Sequence, residues 1–454
     1  MTPANAAAHP DLPARQPATG QQPDPGKPLA RPTYPTEDHH VQARPTSWQT
    51  WVLSLLAALM PLSFSINLGI KVLPPAVLFL AGLALLFGSP ACRGCVRAAW
   101  PPMAAALLMF AFLVLNVLIH QLGWRPLDHP AHILLFLVAT ACFSLPLRMR
   151  MIWAGFSLTA ITLGGVGVLQ SHLFGIERAY GLNGGASAAI ELATVLLGLS
   201  AVALVQLLAP GTRRWERVLH LVGLAVGMYG ALLTQSRGPL LAFVPVFALL
   251  VLMHGLRTGR WRSGLLLVVA GCVTVGAATF SMRGEVAARF EAIAPEVATF
   301  NHRTDARGAV RERLEMWRTG LRAFAAHPVI GIGLGEFGEY TRQEIAAGRT
   351  NPVIGRYNQP HNEYVEAAAT GGLPGLLVLL AVFLVPLRFF FRHALDPDED
   401  IALAASVGLA LVCLYMLCAM TDAVFYRVMT QSFYFFLVLG MAVRIGRLKR
   451  LKPA

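Results

Sequence analysis

The residue best placed to do chemistry in this sequence is His361. It stands at the end of the longest polar loop, just before an apolar stretch. Asn358 can cap a helix and Pro360 suits its first turn, so we expect His361 within that turn. Because the positive end of a helix disfavours a charged imidazolium, His361 would be neutral and able to take a proton as a general base. A purely capping or structural histidine is the alternative.

Two polar neighbours could orient this imidazole. Asn362 follows it directly, and Glu366 lies about one helical turn further along the chain. Asp422 is an isolated acid on the same predicted side of the membrane, and we interpret it as structural. Asn362 and Glu366 are therefore the predicted supports of His361.

Arg237 is predicted to form an anion site. It lies in a tight turn between two apolar stretches, where Pro239 suits the first position of the next helix. A guanidinium beside the backbone N–H groups of a helix N-terminus favours an anion. Arg178 and Arg427 occupy similar short connections and could instead be membrane anchors that reach the lipid headgroups. Of these two, Arg178 is the candidate for the anion site.

A second set of arginines is predicted on one helix. When residues 306–326 are placed on a helix at about 100° per residue, an apolar stripe and an arginine stripe lie roughly a quarter turn apart. The apolar stripe comprises Val310, Leu314, Trp317, Leu321 and Phe324, and the arginine stripe comprises Arg307, Arg311, Arg318 and Arg322. Such a helix would lie in the membrane interface with its arginines level with lipid phosphates. It could equally be a headgroup clamp without chemistry, with Glu312 and Glu315 neutralising part of its charge.

The elements that position these residues are predicted to be membrane-spanning helices. Of the 454 residues, 55% are hydrophobic and 13% charged, and the mean hydropathy is +0.56. These values exclude an ordinary soluble domain and predict an all-α polytopic membrane protein. Since about 20 apolar residues cross roughly 30 Å of hydrocarbon, about twelve spans are predicted: 49–66, 70–87, 98–119, 131–146, 151–170, 186–208, 217–234, 238–255, 263–281, 371–391, 401–420 and 428–445.

Basic residues predict the orientation of these spans. Alternate connections are rich in arginine, from Arg93 and Arg97 to the tail after Arg444, and the positive-inside rule places them in the cytoplasm. Both termini are then cytoplasmic, and the long loop lies outside. The predicted organisation is a disordered cytoplasmic tail (1–47), spans one to nine (48–281), an outer loop with amphipathic helices and the His361 segment (282–370), spans ten to twelve (371–445) and a basic cytoplasmic tail (446–454).

Nucleic-acid, metal and cofactor sites are not expected. Inner loops and the C-terminal tail account for much of the net charge of +13, so no nucleic-acid partner is predicted. No pair of neighbouring acids on the outer face suits a metal, and no cofactor is expected. The glycine-rich segment 333–338 lacks the preceding strand of a dinucleotide fold. It predicts instead a turn whose backbone passes close to another element.

Together these residues resemble a known family. The segments 236–238, 311–317, 327–335 and 360–375 are similar to those of the O-antigen ligases. The wider group also contains O-antigen polymerases and bacterial O-oligosaccharyltransferases. The resemblance covers about 140 residues, whereas the earlier spans agree only in hydropathy and number.

The resemblance implies a GT-C-like membrane glycosyltransferase that works without a metal on the periplasmic face of the bacterial inner membrane. Its donor would be O-antigen on undecaprenyl diphosphate, and its acceptor a sugar hydroxyl of the lipid A-core, giving lipopolysaccharide with inversion at the anomeric carbon. Carried over by motif, the essential positions would be His361, Arg237 and Arg311. His361 would be the base. The arginines, with Arg178 and Arg318 as further candidates, would bind the diphosphate or surrounding membrane lipids.

Three other functions stay open. An O-antigen polymerase would use a second lipid-linked glycan as acceptor, and a protein O-oligosaccharyltransferase would use a protein hydroxyl, with the same donor. A transporter of lipid-linked glycans would only bind the anion, but it needs ionisable groups near the bilayer midplane. Glu191 is the main candidate there, and it lies close to a span end. The single large outer loop with its histidine segment favours the ligase.

Overall fold

The computed structural model describes residues 48–66, 69–182, 188–259, 293–301 and 306–452, and the regular elements within these ranges are helices. The first nine helices are α1 (Trp48–Phe64), α2 (Leu73–Gly88), α3 (Pro90–Ala98), α4 (Trp100–Ile119), α5 (Ala131–Ala139), α6 (Met149–Val168), α7 (Ala189–Leu208), α8 (Arg214–Leu233) and α9 (Arg237–Thr258). The others are α10 (Ile293–Ala298), α11 (Ala309–Ala326), α12 (Phe337–Ala346), α13 (Glu363–His393), α14 (Glu399–Cys418) and α15 (Val428–Leu451). The predicted tail 1–47 and the predicted span 263–281 lie outside the described residues.

Nine helices in the described ranges are long and apolar enough to cross a membrane. The helices α2 and α3 meet at a bend of 105° and would make a tenth span if they count as one. The apolar helix α1 is shorter than a full span. An all-helical multi-pass membrane protein is therefore confirmed. The predicted count of twelve spans is not, because one predicted span is short, one is bent and one lies outside the described residues.

Three helices form the centre of the bundle. The apolar stretches of α7, α14 and α15 are 89%, 78% and 94% buried, respectively. These helices are therefore surrounded by protein on nearly all sides. The residues on α15 are large and aromatic near its start, where Tyr434 packs edge-on against Phe383 of α13 at 6.0 Å. Its hydroxyl donates to the Val382 carbonyl at 2.8 Å, which satisfies the buried polar atom.

This aromatic cluster continues into the loop between α14 and α15. Phe425 of that loop stacks on Phe383 at 5.5 Å and meets Tyr434 at 5.2 Å. The ring is 5% exposed. Because an aromatic side chain buries a large apolar area, Phe425 anchors the loop to the core of the bundle.

The helix α13 is broken near its first third. Gly372 has φ 65° and ψ −160°, which interrupts the helix and leaves backbone groups without helical partners. The loop 327–335 supplies them: Ile332 donates to the Ala369 carbonyl at 2.9 Å, and Leu373 donates to the Pro328 carbonyl at 2.7 Å. The close backbone passage predicted for the glycine-rich segment is confirmed, and its neighbour is α13.

Asn116 on α4 fixes the same loop from the other side. Its amide donates to the Thr370 carbonyl at 3.1 Å, and its oxygen accepts from the Leu334 N–H at 2.8 Å. Asn116 is buried. One side chain thus joins α4, the loop and the break in α13.

Replacing Asn116 by leucine should destabilise the protein. The Leu334 N–H and the Thr370 carbonyl would lose their partner, and each unsatisfied buried group costs about 1–3 kcal/mol. We expect a lower melting temperature in detergent for Asn116→Leu than for Leu115→Ala, whose side chain is exposed on the same helix. Equal melting temperatures for the two variants would contradict this role of Asn116.

Candidate active site

The predicted site residues gather at one end of the bundle. Here the turn between α8 and α9 meets the loop between α14 and α15, since Gly238 lies directly against the Thr421 side chain. The start of α13 joins them through the Glu363 N–H, which donates to the Ala419 carbonyl at 2.8 Å. At the opposite end, ion pairs join α6 to α8, between Arg150 and Glu216, and α15 to α14, between Arg444 and Asp400.

Two adjoining cavities open between these elements. The larger holds about 460 Å³ and is lined by His361, Tyr357 and Glu312, among others. The smaller holds about 100 Å³ and is lined by Arg237 and the turn around it. Arg178 and Arg313 line both cavities, so they form the wall between the histidine and Arg237.

His361 precedes α13 and lies outside it. The cap is Asn362, whose side-chain oxygen accepts from the Tyr364 and Val365 N–H groups at 3.0 and 3.1 Å. The predicted position of His361 inside the first turn is therefore wrong, because Asn362 and not Asn358 caps the helix. His361 has φ 49°, a conformation rare for side chains other than glycine and common at functional sites.

The imidazole of His361 is held by Asp422. The two atoms His361 Nδ1 and Asp422 Oδ1 are 2.8 Å apart. A carboxylate oxygen accepts hydrogen bonds, so Nδ1 carries a proton, and in the neutral imidazole Nε2 then has the lone pair. Gln359 supports the turn, since its side-chain oxygen accepts from the His361 N–H at 2.9 Å. A histidine in this tautomer can accept a proton at Nε2.

Sequence reasoning missed Asp422 and assigned it a structural role. It is 61 residues from His361 along the chain, and no local spacing links the two. One signal was available: Asp422 is the sole acid in the short connection 419–427, on the side of the membrane predicted for His361.

The two predicted supports of the imidazole have other partners. Asn362 caps α13 and donates to the Met420 carbonyl at 3.0 Å, so it fixes the backbone on both sides of the site. Glu366 is buried and faces a small cavity of about 70 Å³ between α4 and α13. One of its carboxyl oxygens has no hydrogen-bond partner within the described ranges. Neither side chain orients the His361 ring.

Glu363 fixes the loop that carries Asp422. Its carboxyl oxygen accepts from the Phe425 N–H at 2.9 Å, and its own N–H binds the same loop at Ala419. With the Phe425 ring buried in the core, these contacts set the distance between Asp422 and His361.

Arg178 holds the turn that presents Arg237. Its Nε donates to the Thr234 carbonyl at 3.1 Å, and a terminal nitrogen lies 3.4 Å from the Ser236 hydroxyl. Gln235, with φ 53°, turns the chain sharply, and its amide donates to the Glu177 carbonyl at 2.8 Å. Arg237 is then the first residue of α9, as the sequence predicts for a helix N-terminus.

Arg311 does not line either cavity. It donates to the Glu296 carbonyl at 3.3 Å and to the Thr299 hydroxyl, so it ties α10 to α11. Arg313 lines both cavities instead. Two residues along a helix are about 200° around its axis, so these side chains point to nearly opposite sides. The helical pattern was right, but it could not tell which arginine faces the bundle.

Two arginines of the predicted stripe on α11 pair with protein acids. Arg318 pairs with Glu315 at 3.2 Å, and Arg322 pairs with Glu344 at 2.9 Å. Both also donate to the Arg349 carbonyl, at 3.4 and 2.8 Å. Hydrogen bonds from Arg349 and then Arg322 hold the pKa of the Glu344 carboxyl below its usual range. Arg318 therefore joins α11 to the loop after α12, and it is not among the cavity residues.

Two more arginines reach the larger cavity with acidic partners. Arg356 pairs with Glu312 at 2.6 Å, and Arg427 lies 3.6 Å from Glu191. Arg313 makes no ion pair with the described residues. Within the described ranges, no group of three or more His, Cys, Asp or Glu side chains is arranged to hold a metal ion.

Comparison with known proteins finds a family match for the central part of the chain. Residues 222–380 match the family model described as O-antigen ligase. Over these residues the chain is similar to the O-antigen ligases. The matched residues include Arg237, Arg313 and His361, whereas Arg178 and Asp422 reach the site from outside them. The chain is also 20% identical over 297 residues to an uncharacterised protein of Haemophilus influenzae, covering 63% of this chain and 73% of that protein.

Arg313 and Arg311 form a matched pair for testing the anion site. We expect Arg313→Gln to weaken binding of inorganic pyrophosphate on the order of tenfold, because a charge-assisted hydrogen bond contributes about 1.5–3 kcal/mol. Arg311→Gln removes the same charge from the same helix and should leave that affinity nearly unchanged. Isothermal titration calorimetry measures both, and a larger loss for Arg311→Gln would refute the assignment.

Proposed function

We propose that this protein is a membrane glycosyltransferase of the O-antigen ligase type. It moves O-antigen polysaccharide from undecaprenyl diphosphate to a sugar hydroxyl of the lipid A-core. The observation that carries the proposal is His361, fixed by Asp422 with Nε2 able to accept a proton, in a cavity walled by arginines. The family match over residues 222–380 supports the same class of reaction.

Arginines suit the donor in this proposal. A lipid diphosphate is a good leaving group that gains negative charge as the bond to the sugar breaks, and guanidinium groups bind its oxygens two at a time. Arg237 begins a helix, where backbone N–H groups add to the positive potential. Arg178 and Arg313, between the two cavities, would hold the diphosphate beside the histidine.

His361 then acts as the general base. The acceptor hydroxyl gives its proton to Nε2 while its oxygen bonds to the anomeric carbon. The bond from that carbon to the phosphate oxygen breaks, and its electron pair leaves with the diphosphate. Attack from the face opposite the leaving group inverts the anomeric centre. Asp422 stabilises the imidazolium that forms, and general base catalysis of this kind contributes about 10²–10⁴-fold in rate.

The site would face the periplasm of a bacterium's inner membrane. The end opposite the cavities carries Arg213, Arg214, Arg447 and Lys449, and the positive-inside rule places such an end in the cytoplasm. Both chain termini would then be cytoplasmic. The donor and the lipid A-core would reach the cavity from the outer leaflet, among the membrane lipids.

Genetic complementation tests the proposed reaction. In a host that lacks the gene, we expect core lipid without polymer and accumulated lipid-linked polymer. The wild-type gene should restore complete lipopolysaccharide on gels, and His361→Ala should not. Lipopolysaccharide capped by single repeats would indicate a polymerase instead. Normal lipopolysaccharide with an unglycosylated protein would indicate an O-oligosaccharyltransferase.

The Asp422 contact makes a separate kinetic prediction. In Asp422→Asn the amide can donate to Nδ1, which leaves the proton on Nε2 and removes the base. We expect kcat to fall about 10²–10⁴-fold, with little change in the KM for the donor. Asp128→Asn is the control, because Asp128 is an acid at the same end of the bundle and is not among the residues lining the cavities. An unchanged kcat for Asp422→Asn in a purified transfer assay would rule out this role.

A further inference from the structure

A third cavity lies at the opposite end of the bundle from His361. It holds about 250 Å³ and is enclosed by the first turn of α6, the last turn of α7 with the loop 209–212, and the first turns of α8 and α14, with α15 behind them. Its polar lining includes Gln206 and Arg444, on the two most buried helices of the protein. Neither residue has a part in the proposed transfer reaction.

Gln206 has an unsatisfied amide in this cavity. The side chain is 6% exposed, and its Nε2 has no hydrogen-bond partner among the described residues. Leaving such a donor buried and unpaired costs about 1–3 kcal/mol. Nearly all buried polar groups in proteins have a partner, so this donor indicates a ligand with an acceptor atom.

Arg444 supplies a second donor to the same cavity. Its side chain is 10% exposed, and its one ion pair with the described residues is a loose contact of 3.6 Å with Asp400. Asp400 is 64% exposed at the cavity rim, where water shields its charge. A buried guanidinium normally makes several hydrogen bonds, and the part of the chain that the structure describes supplies no further partner to this one.

The other charged groups in the cavity already have partners. Arg150 pairs with Glu216 at 2.5 Å, and Glu216 also accepts from the Arg213 N–H at 3.0 Å. His220 lies 2.8 Å from the Ser157 hydroxyl. The groups in the cavity that still need hydrogen-bond partners are therefore donors, the Gln206 amide and the Arg444 guanidinium. Such donors favour a ligand with anionic oxygens.

We propose that this cavity binds the phosphate of a phospholipid headgroup. Two donors that converge on one cavity match phosphate oxygens, and a guanidinium binds them with its planar fork. Gln206 lies in the last turn of α7 and the cavity is bounded by helix ends, which is the depth of headgroups in a membrane. Basic pockets between membrane helices on the cytoplasmic side are suited to anionic lipids. The bound headgroup would join the ends of five helices.

Thermal stability of the full-length protein tests the proposal. After delipidation in a non-ionic detergent, phosphatidylglycerol in mixed micelles should raise the melting temperature with saturation. A glycosyl diacylglycerol, which has no phosphate, should have no effect. Arg444→Met and Gln206→Leu should each weaken the apparent affinity on the order of tenfold. Gln206→Leu carries no change in charge and keeps the proposal testable if Arg444→Met does not fold.

Matched controls separate this site from general attraction to the membrane. Arg450→Met removes the same charge from an exposed position on α15, and Gln343→Leu makes the same change at the other end of the protein. Both should bind phosphatidylglycerol like the wild type. If inorganic phosphate gives the full shift, the phosphate site stands and its source is soluble. The proposal is wrong if phosphatidylglycerol gives no shift, or if Arg444→Met and Gln206→Leu respond like the wild type. None of these outcomes depends on transferase activity.

Discussion

The contact between His361 and Asp422 is the interaction on which the rest of the site depends. It joins the residue before α13 to the loop between α14 and α15, two segments 61 residues apart in the chain. The surrounding structure keeps that distance at 2.8 Å: Glu363 and Asn362 bind the loop backbone, and Phe425 anchors it in the aromatic core. The membrane helices thereby serve as the rigid frame of one hydrogen bond, and rigid frames are what general base catalysis needs.

Two regions of different charge adjoin this contact. Near Tyr357, acids offset the cations: Glu312 accepts from both Arg356 and the Tyr357 hydroxyl, at 2.6 and 2.5 Å. Burial, and then the hydrogen bond to Glu312, raise the pKa of the Tyr357 phenol, so it stays a donor at neutral pH. Towards Arg237, the wall is formed by Arg178 and Arg313. In the proposed reaction the sugar hydroxyl would bind in the first region and the diphosphate in the second, with His361 between them.

The parts of this arrangement that the sequence predicted are those set by local patterns. Hydropathy predicted the membrane helices, and the tight turn predicted Arg237 at the start of α9. Basic residues placed the connections that carry Arg178, Arg237 and His361 at one end, where the structure gathers them. The family recognised from short motifs is confirmed over residues 222–380.

The parts of the site that the sequence could not predict depend on contacts between elements far apart in the chain. Helical period predicted Arg311 in the arginine stripe of α11 but did not identify Arg313, which lines both cavities. Spacing suggested Asn362 and Glu366 as partners of His361, whereas the packing of α14 and α15 places Asp422 beside it. Arg318 and Arg322 formed a basic stripe in sequence, and the acids that neutralise them, Glu315 and Glu344, include one from another helix.

The most direct test of this account is the tautomer of His361 in the intact protein. ¹⁵N NMR of the histidine-labelled protein, assigned by the signal lost in His361→Gln, reports which ring nitrogen carries the proton. The contact with Asp422 predicts a protonated Nδ1 and a bare Nε2, and a shift of the proton to Nε2 in Asp422→Asn. A proton on Nε2 in the wild-type protein would contradict the account, because His361 could not then act as the base.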